Sequence, residues 1–189
     1  MKKNSRLAPS IMCIFFNICS FLILALPAWY FSDTTILKSN NNEIIDQSKI
    51  FLNLFEYKKL ENLNDNYNAW GASLDLTFLN IFNIFIVVAL TLSLVLIVML
   101  IIEVIKKSPP EAILPRISKI ISIITLILSI TALTIALIFA SHSKLVILDT
   151  ASVSHTVSFN LSSGIYLFLI FNIASAACGI ISPILKENN

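Results

Sequence analysis

Few side chains in this sequence have types and spacings that suit chemistry. His142 and His155 are far apart and have no cluster of cysteines or carboxylates beside them, so they predict no metal site, and we interpret both as loop histidines on a wet surface. Ser158, Ser162 and Ser163 lie outside any nucleophile-elbow context, and no glycine loop that could cradle a phosphate is present. We therefore predict no enzymatic activity, no metal site and no cofactor.

The cysteines and the one glycosylation sequon concern modification rather than catalysis. Cys13, Cys19 and Cys178 all lie inside long apolar runs, so we expect no disulfide in a loop and interpret them as small apolar packing residues. Acylation of Cys178 stays open as an alternative. The sequon Asn160-Leu161-Ser162 abuts the last apolar run, and whether Asn160 carries a glycan also stays open.

Three asparagines, Asn17, Asn83 and Asn172, lie within the apolar runs. An ion or substrate path is one interpretation, and hydrogen bonding between helices is the favoured one. No acidic or basic side chain lies deep in any run, as a proton relay or ion carrier would need. This argues against a pump or transporter.

The elements that must position these residues are long apolar segments. The chain has 189 residues, of which 57% are hydrophobic and 13% charged, and its mean hydropathy is +0.86. A soluble domain carries about a quarter charged residues, whereas a run of about 20 apolar residues can span a bilayer. We predict an integral membrane protein with one domain over residues 1–189 and four spans, at Leu7–Phe31, Leu76–Val104, Ile117–Ala140 and Leu161–Leu185.

Basic residues set the expected orientation, because cytosolic flanks of membrane spans are rich in Lys and Arg. They precede the first span and crowd the loop 105–116, so that loop and both termini are expected in the cytosol. Loops 32–75 and 141–160 are then extracellular. A cleaved signal peptide is the alternative for the first run, and a retained span is favoured because the exit lacks a clean cleavage site. The net charge of +2 indicates little about partners. The basic flanks are expected to contact only the anionic lipids of the inner leaflet, and no nucleic-acid partner is expected.

Small residues at helical spacing predict where the spans pack closely. These helix-packing positions are Ala132, Ala136, Ala140, Ser175 and Gly179. The first outside loop carries two segments typical of strands, Trp29–Lys38 and Lys49–Lys59, although the stretch "YKKLENLNDNYNAW" also suits a short amphipathic helix or an irregular loop.

The step from the first span into this loop resembles that of a known superfamily. "LPAWY" places Pro27 and Trp29 in a Pro-x-Trp step, and four spans with a long first outside loop accompany it. This pattern resembles the claudin/PMP22 superfamily of tetraspan proteins, in which a tryptophan at this step is a signature. The expected fold class is an all-α membrane protein: a left-handed four-transmembrane helix bundle with a small, claudin-like extracellular β-sheet in the first loop.

Within this superfamily the sequence is most similar to the clarins. The similar stretches are "NLFEY" in the first loop, "KSPPEAILP" in the cytosolic loop and "FASHSK" at the end of the third span. The matching positions are Leu54, Phe55, Pro115, Phe139, Ala140, Ser141 and Lys144. Asn53 stands where the clarins have glycine, and the loop lacks both the cysteine pair and the full Trp-Gly-Leu-Trp-Cys-Cys motif of claudins.

The resemblance implies a non-enzymatic plasma-membrane protein that places or stabilises partner membrane proteins, such as channel or adhesion complexes. Clarin-like proteins imply sensory or neuronal cells, with mechanotransduction, synaptic machinery or actin-linked membrane as the setting. The alternative is a claudin-type protein of cell–cell adhesion or of the paracellular barrier. A homo-oligomer is also compatible with the resemblance.

Overall fold

A computed structural model describes residues 7–38, 43–56, 59, 62, 65, 76–106 and 113–187 of the chain. Helix α1 covers Leu7–Ser20 and continues as a 3-10 helix over Phe21–Leu24. The other helices are α2, Leu76–Lys106, α3, Ile113–His142, and α4, Ser163–Glu187. The strands are β1, Trp29–Leu37, β2, Glu43–Leu52, β3, Leu145–Asp149, and β4, Val153–Leu161.

Three helices in the described part of the chain are long and apolar enough to cross a membrane. They cover Thr77–Lys106, Ile113–His142 and Ser163–Ile180, and a shorter apolar helix covers Ala8–Leu24. A helix rises about 1.5 Å per residue, so the 30 residues of the first of these extend about 45 Å, which exceeds a hydrocarbon core of about 30 Å. The second and third predicted spans are therefore continuous helices, and each helix extends beyond the predicted bounds.

The first predicted span, Leu7–Phe31, is helical only in its first part. Its helix ends at Leu24, and Trp29 already begins β1. Pro27 lies between them, and proline has no N–H to donate and disfavours helical backbone in the residue before it. In the fourth run, Leu161 is likewise the last residue of β4, and the helix begins at Ser163.

The strands form one antiparallel sheet in the order β2-β1-β4-β3. The predicted strand Trp29–Lys38 matches β1, but the predicted partner Lys49–Lys59 overlaps β2 only at its end, because β2 begins at Glu43 and the chain turns after Leu52. In that turn the N–H of Glu56 donates to the carbonyl of Asn53 at 3.3 Å. The sheet is larger than predicted, since β3 and β4 come from the second loop.

The register of the central strands explains which face of the sheet is apolar. Phe31 lies between Ile50 of β2 and Phe159 of β4. Successive side chains of a strand point to opposite faces, so Trp29 and Phe31 share one face with Phe159 and Val157. These four side chains are at most 5% exposed.

The chain divides into two compact units. The first consists of Met1–Leu22, Asn83–Leu133 and Leu167–Asn189, and the second consists of Ile23–Phe82 and Thr134–Tyr166. A buried cluster of Cys13, Leu96 and Leu100 lies in the first unit, and the sheet and its aromatic core lie in the second. Parts of the predicted loops, at 57–75 and 107–112, fall largely outside the described residues.

Candidate functional site

The long helices expose many large apolar side chains and bury several polar ones. Among the outward side chains, Ile84 is 62% exposed, Leu94 55% and Ile127 57%. The buried polar side chains of the helices include Asn17, Ser20, Ser93, Ser118, Ser122, Thr125, Ser129, Asn172 and Ser175. A soluble protein buries apolar residues and exposes polar ones, so this distribution is the reverse of the usual one. It suits helices whose surroundings are as apolar as leucine.

Most described hydroxyls of α2 and α3 bond within their own helix. Thr91 donates to the carbonyl of Val87 at 2.8 Å, and Ser129 donates to that of Thr125 at the same distance. The same bond to the residue four positions earlier is made by Ser118, Thr125 and Thr131. Polar groups in hydrocarbon must find partners inside the protein, and this geometry provides them.

One polar cluster joins α1 to α4 in the first unit. The side-chain amide of Asn17 lies 2.5 Å from the Ser175 hydroxyl oxygen and donates to the Cys13 carbonyl at 2.8 Å. The Cys13 sulfur lies 3.3 Å from the same hydroxyl. Hydrogen bonding between helices, predicted for the intramembrane asparagines, is confirmed for Asn17. Asn172 instead donates to the Phe168 carbonyl of its own helix at 2.8 Å.

The predicted packing residues are placed where little side-chain volume fits. Ala132 and Ala136 are fully buried, Ser175 is 3% exposed, and Ala140 is half-buried. A Cβ added to Gly179 would lie 3.1 Å from the hydroxyl oxygen of Ser122, closer than most side-chain contacts. The helix backbones of α3 and α4 therefore approach closely at this point, as small residues at helix contacts permit.

Trp29 lies in the aromatic core of the second unit and is only 2% exposed. Its ring packs edge-to-face on Phe82 and Phe139, with ring centroids 5.0 and 5.5 Å away. The indole Nε1 of Trp29 has no hydrogen-bond partner among the described residues. Two of the predicted signature residues, Trp29 and Phe139, are in direct contact.

Pro27 takes part in a contact that sequence reasoning missed. The backbone N–H of Gly164 donates to the Pro27 carbonyl at 3.1 Å. A Cβ on Gly164 would lie 2.7 Å from that carbonyl oxygen. Only glycine permits so close an approach of two backbones. The chain has three glycines, and this scarcity was the sequence signal that Gly164 could have a structural role.

The other signature positions are spread over the molecule. Leu54 is buried, whereas Phe55, the next residue, is 55% exposed. Ser141 and Lys144 are exposed, and the Ser141 hydroxyl donates to the Ile138 carbonyl at 2.7 Å. Pro115 is half-buried near the start of α3, in the first unit. Pro115 therefore belongs to a different unit from the other signature positions.

Charged side chains of the second unit bind the strands to one another. Nε2 of His155 lies 2.5 Å from a carboxylate oxygen of Asp33, and both side chains are half-buried, so His155 is not the wet loop histidine that was predicted. Lys38 pairs with Asp149 and holds the pKa of that carboxyl below its usual value. The described residues include no group of three or more His, Cys, Asp or Glu side chains that could hold a metal ion.

Comparisons with known proteins leave the family open. No family model matches the chain, and no curated protein matches it either. The resemblance to the clarins accordingly stays a prediction.

Proposed function

We propose that this chain is a multi-pass plasma-membrane protein with four spans that acts without catalysis by organising partner membrane proteins. The observation that carries the proposal is the reversed distribution of side chains on the helices. Large aliphatic residues such as Ile84 and Ile127 face outward while Asn17 and Ser93 are buried. Lipid is the solvent that makes this arrangement favourable.

The first span in chain order has the shortest helix of the four in this proposal. The helix of Ala8–Leu24 is too short to cross a hydrocarbon core of about 30 Å without help from its flanks. The short run of chain between this helix and β1 supplies further apolar residues. The outward side chains of the helix, Ile11, Phe15 and Ile18, are about half exposed. Local thinning of the bilayer or a more upright helix accommodates such a span at modest cost.

Orientation is tested by labelling single cysteines in intact cells with a membrane-impermeant maleimide. Ser152, in the turn between β3 and β4, and Arg116, in the first turn of α3, are both exposed. Ser152→Cys should be labelled in intact cells, and Arg116→Cys only after the cells are permeabilised. The unmodified chain is the control, because it measures how much maleimide reacts with the three native cysteines. The opposite labelling pattern would mean that the chain has the reverse of the proposed orientation. Labelling of both sites in intact cells would contradict the four-span arrangement.

The organising role rests on the resemblance to the clarins. Affinity purification of a tagged chain from native membranes, combined with proximity labelling, should recover one specific channel or adhesion protein. A chain that is always recovered alone would contradict this role.

The adhesion alternative is favoured by one observation. Phe51 and Phe55 are each 55% exposed, in β2 and the turn after it, on the part of the chain proposed to be extracellular. Exposed aromatics are common anchors of protein–protein contacts. Expression in non-adherent cells should then cause aggregation that Phe55→Ser abolishes and Lys144→Ser, also at an exposed position, does not. No aggregation at full surface expression would remove this alternative.

A further inference from the structure

The first unit contains a small cavity among its four helices. Its volume is about 20 Å³, and its polar lining consists of Ser10, Glu103, Ser118, Lys119 and Ser122, with the thiols of Cys13 and Cys178 beside them. A cavity of about 10–15 Å³ is enough to hold one water molecule. The space is therefore large enough for one water molecule.

Ser122 differs from the other hydroxyl residues of α3. Ser118, Thr125, Ser129 and Thr131 each donate to the carbonyl four residues earlier. The Ser122 hydroxyl makes no such bond and has no partner among the described residues, although the side chain is 3% exposed. A buried hydroxyl without a partner loses the hydrogen bonds that it makes to water in the unfolded chain, which is unfavourable. Because Ser122 lines the cavity, a ligand there can supply the missing hydrogen bond.

Gly179 helps to keep this space open. A Cβ at this position would lie 3.1 Å from the Ser122 hydroxyl oxygen and 3.8 Å from the Cys13 sulfur. Any larger residue would intrude on the space that the Ser122 hydroxyl faces. The glycine thus leaves room beside the Ser122 hydroxyl, which has no hydrogen-bond partner among the described residues.

We propose that this cavity binds one water molecule, which hydrogen-bonds to the Ser122 hydroxyl. A buried water makes two to four hydrogen bonds. Ser10 and Ser118 add hydroxyl oxygens to the lining, and Glu103 adds a carboxylate. A metal cation is the less suitable occupant, because hard cations take six or more oxygen ligands and Lys119, itself a cationic residue, belongs to the same lining.

The water is observed directly in a high-resolution structure of the full chain in lipid nanodiscs. We expect a density peak at hydrogen-bond distance, about 2.8 Å, from the Ser122 oxygen. Water-edited solid-state NMR of the protein in bilayers is the second readout, and it should show magnetisation transfer from water to the amides of Ser122 and Gly179.

Two variants and one control separate bound water from general hydration of the helices. Ser122→Ala removes the hydrogen-bonding group and Gly179→Ala fills part of the space, so each should abolish the density and the transfer signal. Ser129→Ala is the matched control, since Ser129 lies on the same helix, is equally buried and is satisfied by the Thr125 carbonyl. It should leave both signals unchanged.

Three results would overturn the proposal. The first is an empty cavity in the unmodified chain, at a resolution where other internal waters are visible. The second is a peak that persists in Ser122→Ala. The third is a peak with five or more oxygen ligands at about 2.4 Å, because that geometry belongs to a cation. The first and third results need only the unmodified chain, so a variant that fails to fold does not block the test.

Discussion

The indole ring of Trp29 packs edge-to-face on Phe82, with ring centroids 5.0 Å apart and an angle of 72° between the ring planes. Trp29 is the first residue of β1 and Phe82 lies in the first third of α2, so the contact joins the sheet to a long helix within the second unit. Edge-to-face pairs add about 0.5–1.5 kcal/mol beyond the area that they bury. Trp29 makes the same kind of contact with Phe139 of α3.

Replacing Trp29 should therefore damage the fold in proportion to the ring that is lost. Trp29→Ala is expected to cost about 3–5 kcal/mol, as truncation of a buried aromatic does. Trp29→Phe should cost clearly less, because it keeps an aromatic ring and gives up an N–H that has no partner among the described residues. The loss of stability in each variant is measured by thermal unfolding in detergent and by the amount of chain at the cell surface. Equal losses in the two variants would mean that the edge-to-face geometry contributes nothing.

Burial of Trp29 shows where sequence reasoning ends. The apolar runs of α2 and α3 and the strand β1 were predicted because their composition and local pattern determine them. Burial of Trp29 depends on Phe82 and Phe139, which lie in other elements, and no local pattern indicates which elements meet. The strand β4 was missed although "VSHTVSF" alternates apolar and polar residues, with Val157 and Phe159 fully buried, because its partner β1 is remote in the sequence.

The hydrogen bond between Asn17 and Ser175 should couple the two side chains energetically. A double-mutant cycle with Asn17→Ala and Ser175→Ala should give a coupling free energy of about 0.6 kcal/mol, and at most about 2 kcal/mol, as found between membrane helices. The stability of each variant is read from reversible unfolding in mixed micelles.

The control cycle pairs Asn172→Ala with Ser175→Ala. The Asn172 amide bonds to the carbonyl of Phe168 in its own helix, so its coupling to Ser175 should be near zero. Equal coupling free energies in the two cycles would mean that the hydrogen bond between Asn17 and Ser175 contributes no specific stabilisation.

Gly164→Ala should be disruptive at a position where alanine is ordinarily the better helix former. The added Cβ would lie 2.7 Å from the carbonyl oxygen of Pro27, which is backbone and cannot rotate away. Overpacking of this kind costs about 1–3 kcal/mol. Ser163→Ala is the neighbouring control, because the Ser163 side chain is exposed. Surface expression and the melting temperature should fall for Gly164→Ala alone, and a stabilised Gly164→Ala variant would disprove the close backbone contact.

Acid should weaken the link between β1 and β3 through Asp149. Lys38 lowers the pKa of the Asp149 carboxyl below its usual 3.8, first by a hydrogen bond and then by its charge. A carboxyl with a depressed folded-state pKa stabilises the fold above its unfolded-state pKa, and this contribution disappears as the pH falls through the folded-state value. The effect is small because the pair is exposed and screened by salt.

Asp149→Asn isolates this contribution in acid-unfolding curves recorded at low ionic strength. The variant should be slightly less stable than the parent at neutral pH, and the two curves should converge as the pH falls below the lowered folded-state pKa of the Asp149 carboxyl. A difference that grows on acidification would contradict the assigned sign.

The outward face of α3 distinguishes a lipid environment from water. Ile127 is 57% exposed near the middle of this helix, and Ile113 is 75% exposed at its first residue. A lysine at the centre of a membrane span costs about 2.5–3.5 kcal/mol, whereas one near the end can extend its ammonium group to the headgroups. In water, either substitution on an exposed helix face would change stability by no more than about 0.5 kcal/mol.

Ile127→Lys should therefore sharply reduce the fraction of chain that is integrated into membranes, while Ile113→Lys and the conservative Ile127→Leu should leave it near the parent value. Alkaline extraction of membranes measures that fraction. If Ile127→Lys were integrated as well as Ile113→Lys, the outward face of α3 would have to face water or another protein, and the argument from the reversed side-chain distribution would fail for this helix.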